Sequence, residues 1–157
     1  GGTASSARRT RSAATTRRDT KRPDHGRDHA GGKMSLAEKF NLLNEFNVLR
    51  LICGLFFIPH IVGKITVPAT LEFFVVAGFK PPKAWMILSG IIEAILTIGL
   101  VFGIYTAYVA FIAFLHLLVA AAATYKVKNC WIWVIGGVEY CVFWALCCLV
   151  VSMHYWH

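Results

Sequence analysis

Residues 1–33, GGTASSARRTRSAATTRRDTKRPDHGRDHAGGK, contain no Leu, Ile, Val, Phe, Trp, Tyr, Met or Cys. A segment without large apolar side chains cannot bury enough surface to offset the entropy of ordering, so it reads as a disordered basic tail. The rest of the chain lacks the opposite feature, a polar face. Residues 85–125 hold one Glu and one His and no Lys, Arg or Asp. A water-soluble helical bundle would carry polar residues along one side of each helix at 3.6-residue spacing, and that class is excluded. Also missing are a Gly-rich phosphate loop, a nucleophile elbow, an HExxH pair and any C-x-x-C or other metal-ligand spacing. No self-sufficient catalytic apparatus is visible, and no metal site is expected. Asn47 is followed by Val48-Leu49 and is no glycosylation acceptor.

What is present is apolar bulk. The 157 residues are 57% hydrophobic with a mean hydropathy of +0.58, against roughly 45–50% apolar residues in soluble domains. Four stretches, residues 48–65, 84–103, 105–124 and 131–153, have the 17–25 residues needed to cross a ~30 Å hydrocarbon core as helices. Gly103-Ile104-Tyr105-Thr106 marks a tight turn between the second and third, and Lys126-Val127-Lys128-Asn129 separates the third from the fourth. The link TVPATLEFFVVAGFKPPK (66–83) holds an apolar segment too short to span. It predicts an interfacial helix starting near Pro68 and stopping at Gly78. The fold expected is therefore all-α: a four-transmembrane-helix bundle over residues 34–157, with a short interfacial helix between spans one and two. Trp and Tyr residues cluster at the span ends, where amphipathic rings prefer the interface.

The tail carries nine Lys/Arg and three Asp, a net +6 of the chain's +8. It reads as a leader ahead of Met34, a transit peptide, or a functional tail able to attract anionic lipid or nucleic acid. Counting from Met34, the positive-inside rule places the lysine-rich loops on the cytosolic side, and counting the tail reverses that. Which membrane the chain occupies is left open, organellar or plasma.

Each span carries one titratable residue inside its apolar run: His60, Glu93, His116 and Glu139. At ~1.5 Å per residue these predict depths of roughly 7–15 Å on the same half of the bundle. An ionised group at mid-membrane costs about 2.5–3.5 kcal/mol, so such residues face inward and find partners. His/Glu pairs are a natural solution, because an imidazole N–H donates to a carboxylate. Small residues (Ala113, Ala120 and Ala123 around His116, Gly90 and Ala94 around Glu93, Gly136 and Gly137 before Glu139) would let the helices approach closely. In FFIPHIVGKI, Pro59 removes a backbone donor and predicts a helix kink beside His60. Three readings of this polar level stand side by side: interhelical glue, a ligand, quinone or proton pocket, and a haem or metal site. Two carboxylates at one level fit the third poorly. The five cysteines read as apolar filler rather than a disulfide framework.

The stretches RLICGLFFIPHIVGKI, LEFFVVAGFKPP, GIIEAILTIGLVFGIYT and GGVEY resemble the DoxX family of small four-span membrane proteins, over about residues 47–153. The chain departs from that pattern at Ile61-Val62, where a Gly often follows the His, and at Lys80 before Pro81, where Gly-Phe-Pro is usual. The resemblance implies an integral membrane protein and puts Arg50, His60, Lys64, Glu93 and Glu139 on matching positions; His116 is added from depth and packing. Some members are described as subunits of membrane oxidoreductase systems that pass electrons to quinone, or as partners in thiol and oxidative-stress handling. On this basis the expected function is a subunit of a quinone-linked membrane complex. His60, Glu93, His116 and Glu139 would form its pocket, with Lys64 and Arg50 at the mouth and Pro59 making room. The alternative is a non-enzymatic scaffold or assembly subunit whose buried polar residues are structural. No cofactor is evident beyond a quinone. The expected partners are membrane lipids and other membrane-protein subunits rather than nucleic acid.

Overall fold

A computed structural model of the chain describes residues 36–156 together with Gly1 at the terminus. The expectation of a disordered tail over residues 1–33 otherwise lies outside the described residues. Seven α-helices follow in order: α1 (Leu36–Lys39), α2 (Glu45–Leu55), α3 (Phe57–Thr66), α4 (Ala69–Val76), α5 (Pro82–Phe102), α6 (Thr106–Lys128) and α7 (Glu139–Trp156). No strand occurs among the described residues. Among the described residues four helical segments are long and apolar enough to cross a membrane: Glu45–Thr66, Pro82–Phe102, Thr106–Lys128 and Glu139–Trp156.

Local chemistry sets the helix ends. Asn44 caps α2, its side-chain oxygen accepting from the backbone N–H of Phe46 and Asn47 at 3.0 and 3.1 Å. The first span is broken at Phe56, three residues before Pro59, where the missing proline N–H interrupts the backbone ladder. The short α4 starts after Pro68 and stops at Ala77, with Gly78 in the left-handed region at φ +86°. Pro82 opens α5, and Gly103 at φ +63° closes it as Ile104 N–H returns to the Gly99 carbonyl at 2.9 Å.

The fourth span differs from the sequence expectation. It begins at Glu139, not at residue 131. Residues 131–138 fold back on themselves instead: Val138 and Glu139 donate to the carbonyls of Cys130 and Trp131 at 3.2 and 3.0 Å, around a single 3-10 turn at Trp133–Ile135. Gly137 makes this possible, because a Cβ there would stand 2.4 Å from the Trp131 carbonyl. Apolar composition alone does not distinguish such an interfacial loop from a helix. Gly136 and Gly137 therefore serve a turn rather than a helix-packing face.

The core runs along the bundle axis. Ala110, Ala113, Leu117 and Ala121 line one stripe of α6 and are buried with Trp144, Ala145, Cys148 and Val151 of α7. Ser152 donates to the Ala107 carbonyl at 2.8 Å across the same seam. Small side chains at these positions allow close approach where no hydrophobic drive separates helix from lipid. The outer faces carry exposed Ile, Leu, Val and Phe, including Ile95, Ile98, Val119 and Phe143. A surface this apolar matches a hydrocarbon surround.

One end of the bundle is tied by a polar knot. Arg50, 1% exposed, donates to the carbonyls of Leu100, Val101 and Lys39, the last two at 2.9 and 2.6 Å. Lys39 Nζ in turn reaches the Gly103 carbonyl at 2.9 Å. Two cations thus satisfy the orphan carbonyls at the C-terminal end of α5, where the helix dipole favours positive charge. Buried Asn47 accepts from the Tyr155 hydroxyl at 2.6 Å and donates to the carbonyls of Glu38 and Asn41. Together these contacts join α1, α2, α5 and α7.

Candidate functional site

The opposite half of the bundle holds a cavity of about 500 Å³, within the usual size of small-molecule sites. Its walls come from α3, α4, α5, α6 and α7. Phe57, Phe73, Phe74, Trp85, Leu88 and Trp144 are among its apolar lining, together with Phe79 from the loop after α4. Leu88 and Val119 line the cavity and are also exposed, so the wall is apolar where it meets the surround.

A charged cluster sits on the inner wall. Lys64 Nζ lies 2.8 and 2.7 Å from the two carboxylate oxygens of Glu93, and His116 Nε2 lies 3.2 Å from Oε1. Glu93 is 6% exposed. It lies about eleven residues from the Pro82 start of α5, and His116 about twelve from the Lys128 end of α6, so both are roughly 16–18 Å deep along their helices. Three helices therefore converge on one carboxylate. The pairing offsets the cost of holding it at that depth.

His60 takes a different place from the one its sequence position suggested. It lines the cavity and is exposed, its ring 5.4 Å from that of Trp144. It is Lys64 and His116, not His60, that bond Glu93. This leaves the imidazole of His60 without a hydrogen-bond partner among the described residues and facing the open volume. Trp144 is itself nearly fully buried, and its Nε1–H has no acceptor among the described residues. Such an orphan donor costs about 1–3 kcal/mol. The Trp144 ring packs against that of Phe57, centroid to centroid at 4.4 Å.

Three sequence expectations change here. Glu139 is the first residue of α7, exposed, and does not line the cavity; the late start of the fourth span moved it out of the shared level. Arg50 is no part of a cavity mouth, since it belongs to the knot at the other end of the bundle. Lys64 does not stand guard at the mouth, because its side chain turns inward onto Glu93 and is only 12% exposed. The stem of Lys64 passes over Gly90 of α5, where a Cβ would sit 3.5 Å from Lys64 Cδ, an ordinary packing contact. Pro59, His60, Glu93 and His116 do come together around one volume. Sequence reasoning missed Trp144 and α4 as walls. Trp144 carried a usable signal, as the one tryptophan well inside the fourth apolar run.

Helix α4 closes the cavity at its end of the bundle. Thr70 Oγ1 donates to the Gly63 carbonyl at 3.1 Å, and Lys126 Nζ donates to the Ala77 carbonyl at 2.8 Å. The second bond ties the end of α6 to the C-terminus of α4, again a cation on orphan carbonyls. Among the described residues no group of three or more His, Cys, Asp or Glu comes together as a metal site. All five cysteines are free thiols.

A family model described as DoxX matches residues 46–126. The match takes in the first three spans and every charged or imidazole group around the cavity; α7 lies beyond it, and with it the GGVEY stretch. Neither the curated proteins nor the solved structures provide a match to the chain.

Proposed function

This chain belongs to the DoxX family of multi-pass integral membrane proteins, and from that premise we propose that its cavity is a quinone head-group site serving a redox-linked membrane complex. The observation that supports the reading most is the composition of one volume. Aromatic and aliphatic walls suit a flat apolar ring. An apolar wall where the cavity meets the surround suits an isoprenoid tail. A Glu93-centred polar wall and an unengaged His60 suit the two ring oxygens.

Reduction of a quinone to its quinol takes two electrons and two protons. In this reading the electrons come from a partner subunit. Protons are what its residues can supply. His60 faces the volume and, once it has taken up a proton from water, delivers it to one ring oxygen. His116, once it has taken up a proton from water, serves the other, and Glu93 at 3.2 Å stabilises the imidazolium until that transfer. Lys64 holds the carboxylate in place for that exchange.

The test is saturable binding of a short-chain benzoquinone to the purified protein in detergent. His60→Ala and Glu93→Gln should each weaken it. Gly63→Leu should abolish it, because Gly63 lines the cavity and a side chain there meets open space. If the wild-type protein shows no saturable binding, or if Gly63→Leu binds like wild type, the site is not a quinone site. The protein then reads as a membrane scaffold whose ion pair joins α3, α5 and α6.

A further inference from the structure

Resting on the reading of this cavity as an amphiphile site, we infer that it selects an uncharged head group, and that Glu93 is the specificity residue that keeps anionic lipids out. The basis is the charge balance of the cavity wall. Among the residues lining it, Lys64 is the only ammonium or guanidinium and Glu93 the only carboxylate. Their charges are spent on each other, since both Glu93 oxygens take the same ammonium at 2.7 and 2.8 Å. With both imidazoles neutral the wall carries no net charge, yet it remains rich in polar atoms.

A lone lysine in an apolar membrane cavity would be a binding site for fatty acids and anionic phospholipids. Here an entering carboxylate finds its ammonium already taken and meets the negative charge of Glu93 at contact distance. In a low-dielectric wall such like-charge approach is strongly unfavourable. A neutral ring with carbonyl or hydroxyl groups meets no such barrier and can exchange hydrogen bonds with His60 and the paired cluster. The arrangement thus works by repulsion as well as attraction. Glu93 contributes most through the ligands it excludes.

The experiment compares oleate, ionised at alkaline pH, with a short-chain benzoquinone, using the full chain in neutral-lipid nanodiscs. Wild type should bind oleate at least about tenfold more weakly than the quinone. Glu93→Gln frees the Lys64 ammonium and should raise oleate affinity by about tenfold or more. The double variant Lys64→Met/Glu93→Gln removes the cation as well and should return oleate affinity to the wild-type level. Wild type that binds oleate as tightly as quinone overturns the inference whatever the variants do, and so does Glu93→Gln with unchanged oleate affinity. A wild type that binds neither ligand, with oleate binding gained in Glu93→Gln, refutes the quinone reading while upholding charge selection by Glu93.

Discussion

Lys64 of α3 and Glu93 of α5 form a bidentate ion pair, 2.7 and 2.8 Å from nitrogen to the two oxygens, inside a bundle whose outer faces are apolar. His116 adds a third helix to the same carboxylate. Two charges at this depth each carry a large desolvation cost, which only their mutual contact offsets. Removing one partner therefore hurts more than removing both.

That asymmetry is open to a double-mutant cycle. Lys64→Met and Glu93→Gln should each destabilise the detergent-solubilised protein by about 3 kcal/mol, since each leaves a buried group unpaired. The double variant should cost clearly less than the sum, with a coupling of about 1–3 kcal/mol. Thermal unfolding followed by circular dichroism in one fixed detergent gives all four values. Additive losses would mean that the two groups do not depend on each other.

Arg50 provides the contrast. Its guanidinium satisfies carbonyls on α1 and α5, so Arg50→Met should leave several buried acceptors unpaired and lower stability by about 2–4 kcal/mol. Arg50→Lys should rescue only part of this, because an ammonium cannot reproduce the fork that spans two elements. Ligand binding in the cavity should be unchanged in Arg50→Lys, since the knot and the cavity occupy opposite halves of the bundle. A loss of binding in a folded Arg50→Lys protein would restore Arg50 to the cavity mouth.

The sequence made the architecture legible because length and hydropathy are properties of whole segments, and bilayer thickness fixes what they must do. It also located His60, Glu93, His116 and Pro59 around one volume, because depth along a helix follows from residue count. What it did not yield was direction around the helix and the exact start of a span. Lys64 lies close enough to the end of α3 to reach the interface, and only the position of Glu93 on the facing side of α5 shows why it turns inward instead. Glu139 was displaced by eight residues of apolar loop that composition reads as helix. Arg50 looked like a second mouth cation because its partners are backbone carbonyls, which leave no trace in side-chain chemistry.

The turn before α7 can be probed at Gly137, with Gly63 of α3 as a glycine of opposite character. Gly137→Ala drives a Cβ into the Trp131 backbone at 2.4 Å and should destabilise by several kcal/mol or disorder the 131–138 loop. Gly63→Ala meets nothing within 4 Å and removes a flexible residue from α3, so it should stabilise by up to about 1 kcal/mol. Melting temperatures of the two variants should fall on either side of wild type. Equal values would mean that the loop does not fold back as described.

The seam between α6 and α7 gives a last and sharper comparison, because two adjacent residues face opposite surroundings. Ala113 has no exposed surface and belongs to the core cluster with Ala145 and Cys148, whereas Ile112 is 51% exposed on the outer face. Ala113→Leu inserts bulk where the helices already touch and should cost about 1–3 kcal/mol through overpacking. Ile112→Leu exchanges one lipid-facing side chain for another of equal volume and should be neutral within about 0.5 kcal/mol. A detergent-resistant fold that tolerates Ala113→Leu as readily as Ile112→Leu would mean that α6 is rotated from its described orientation, and the placement of His116 against Glu93 would fail with it.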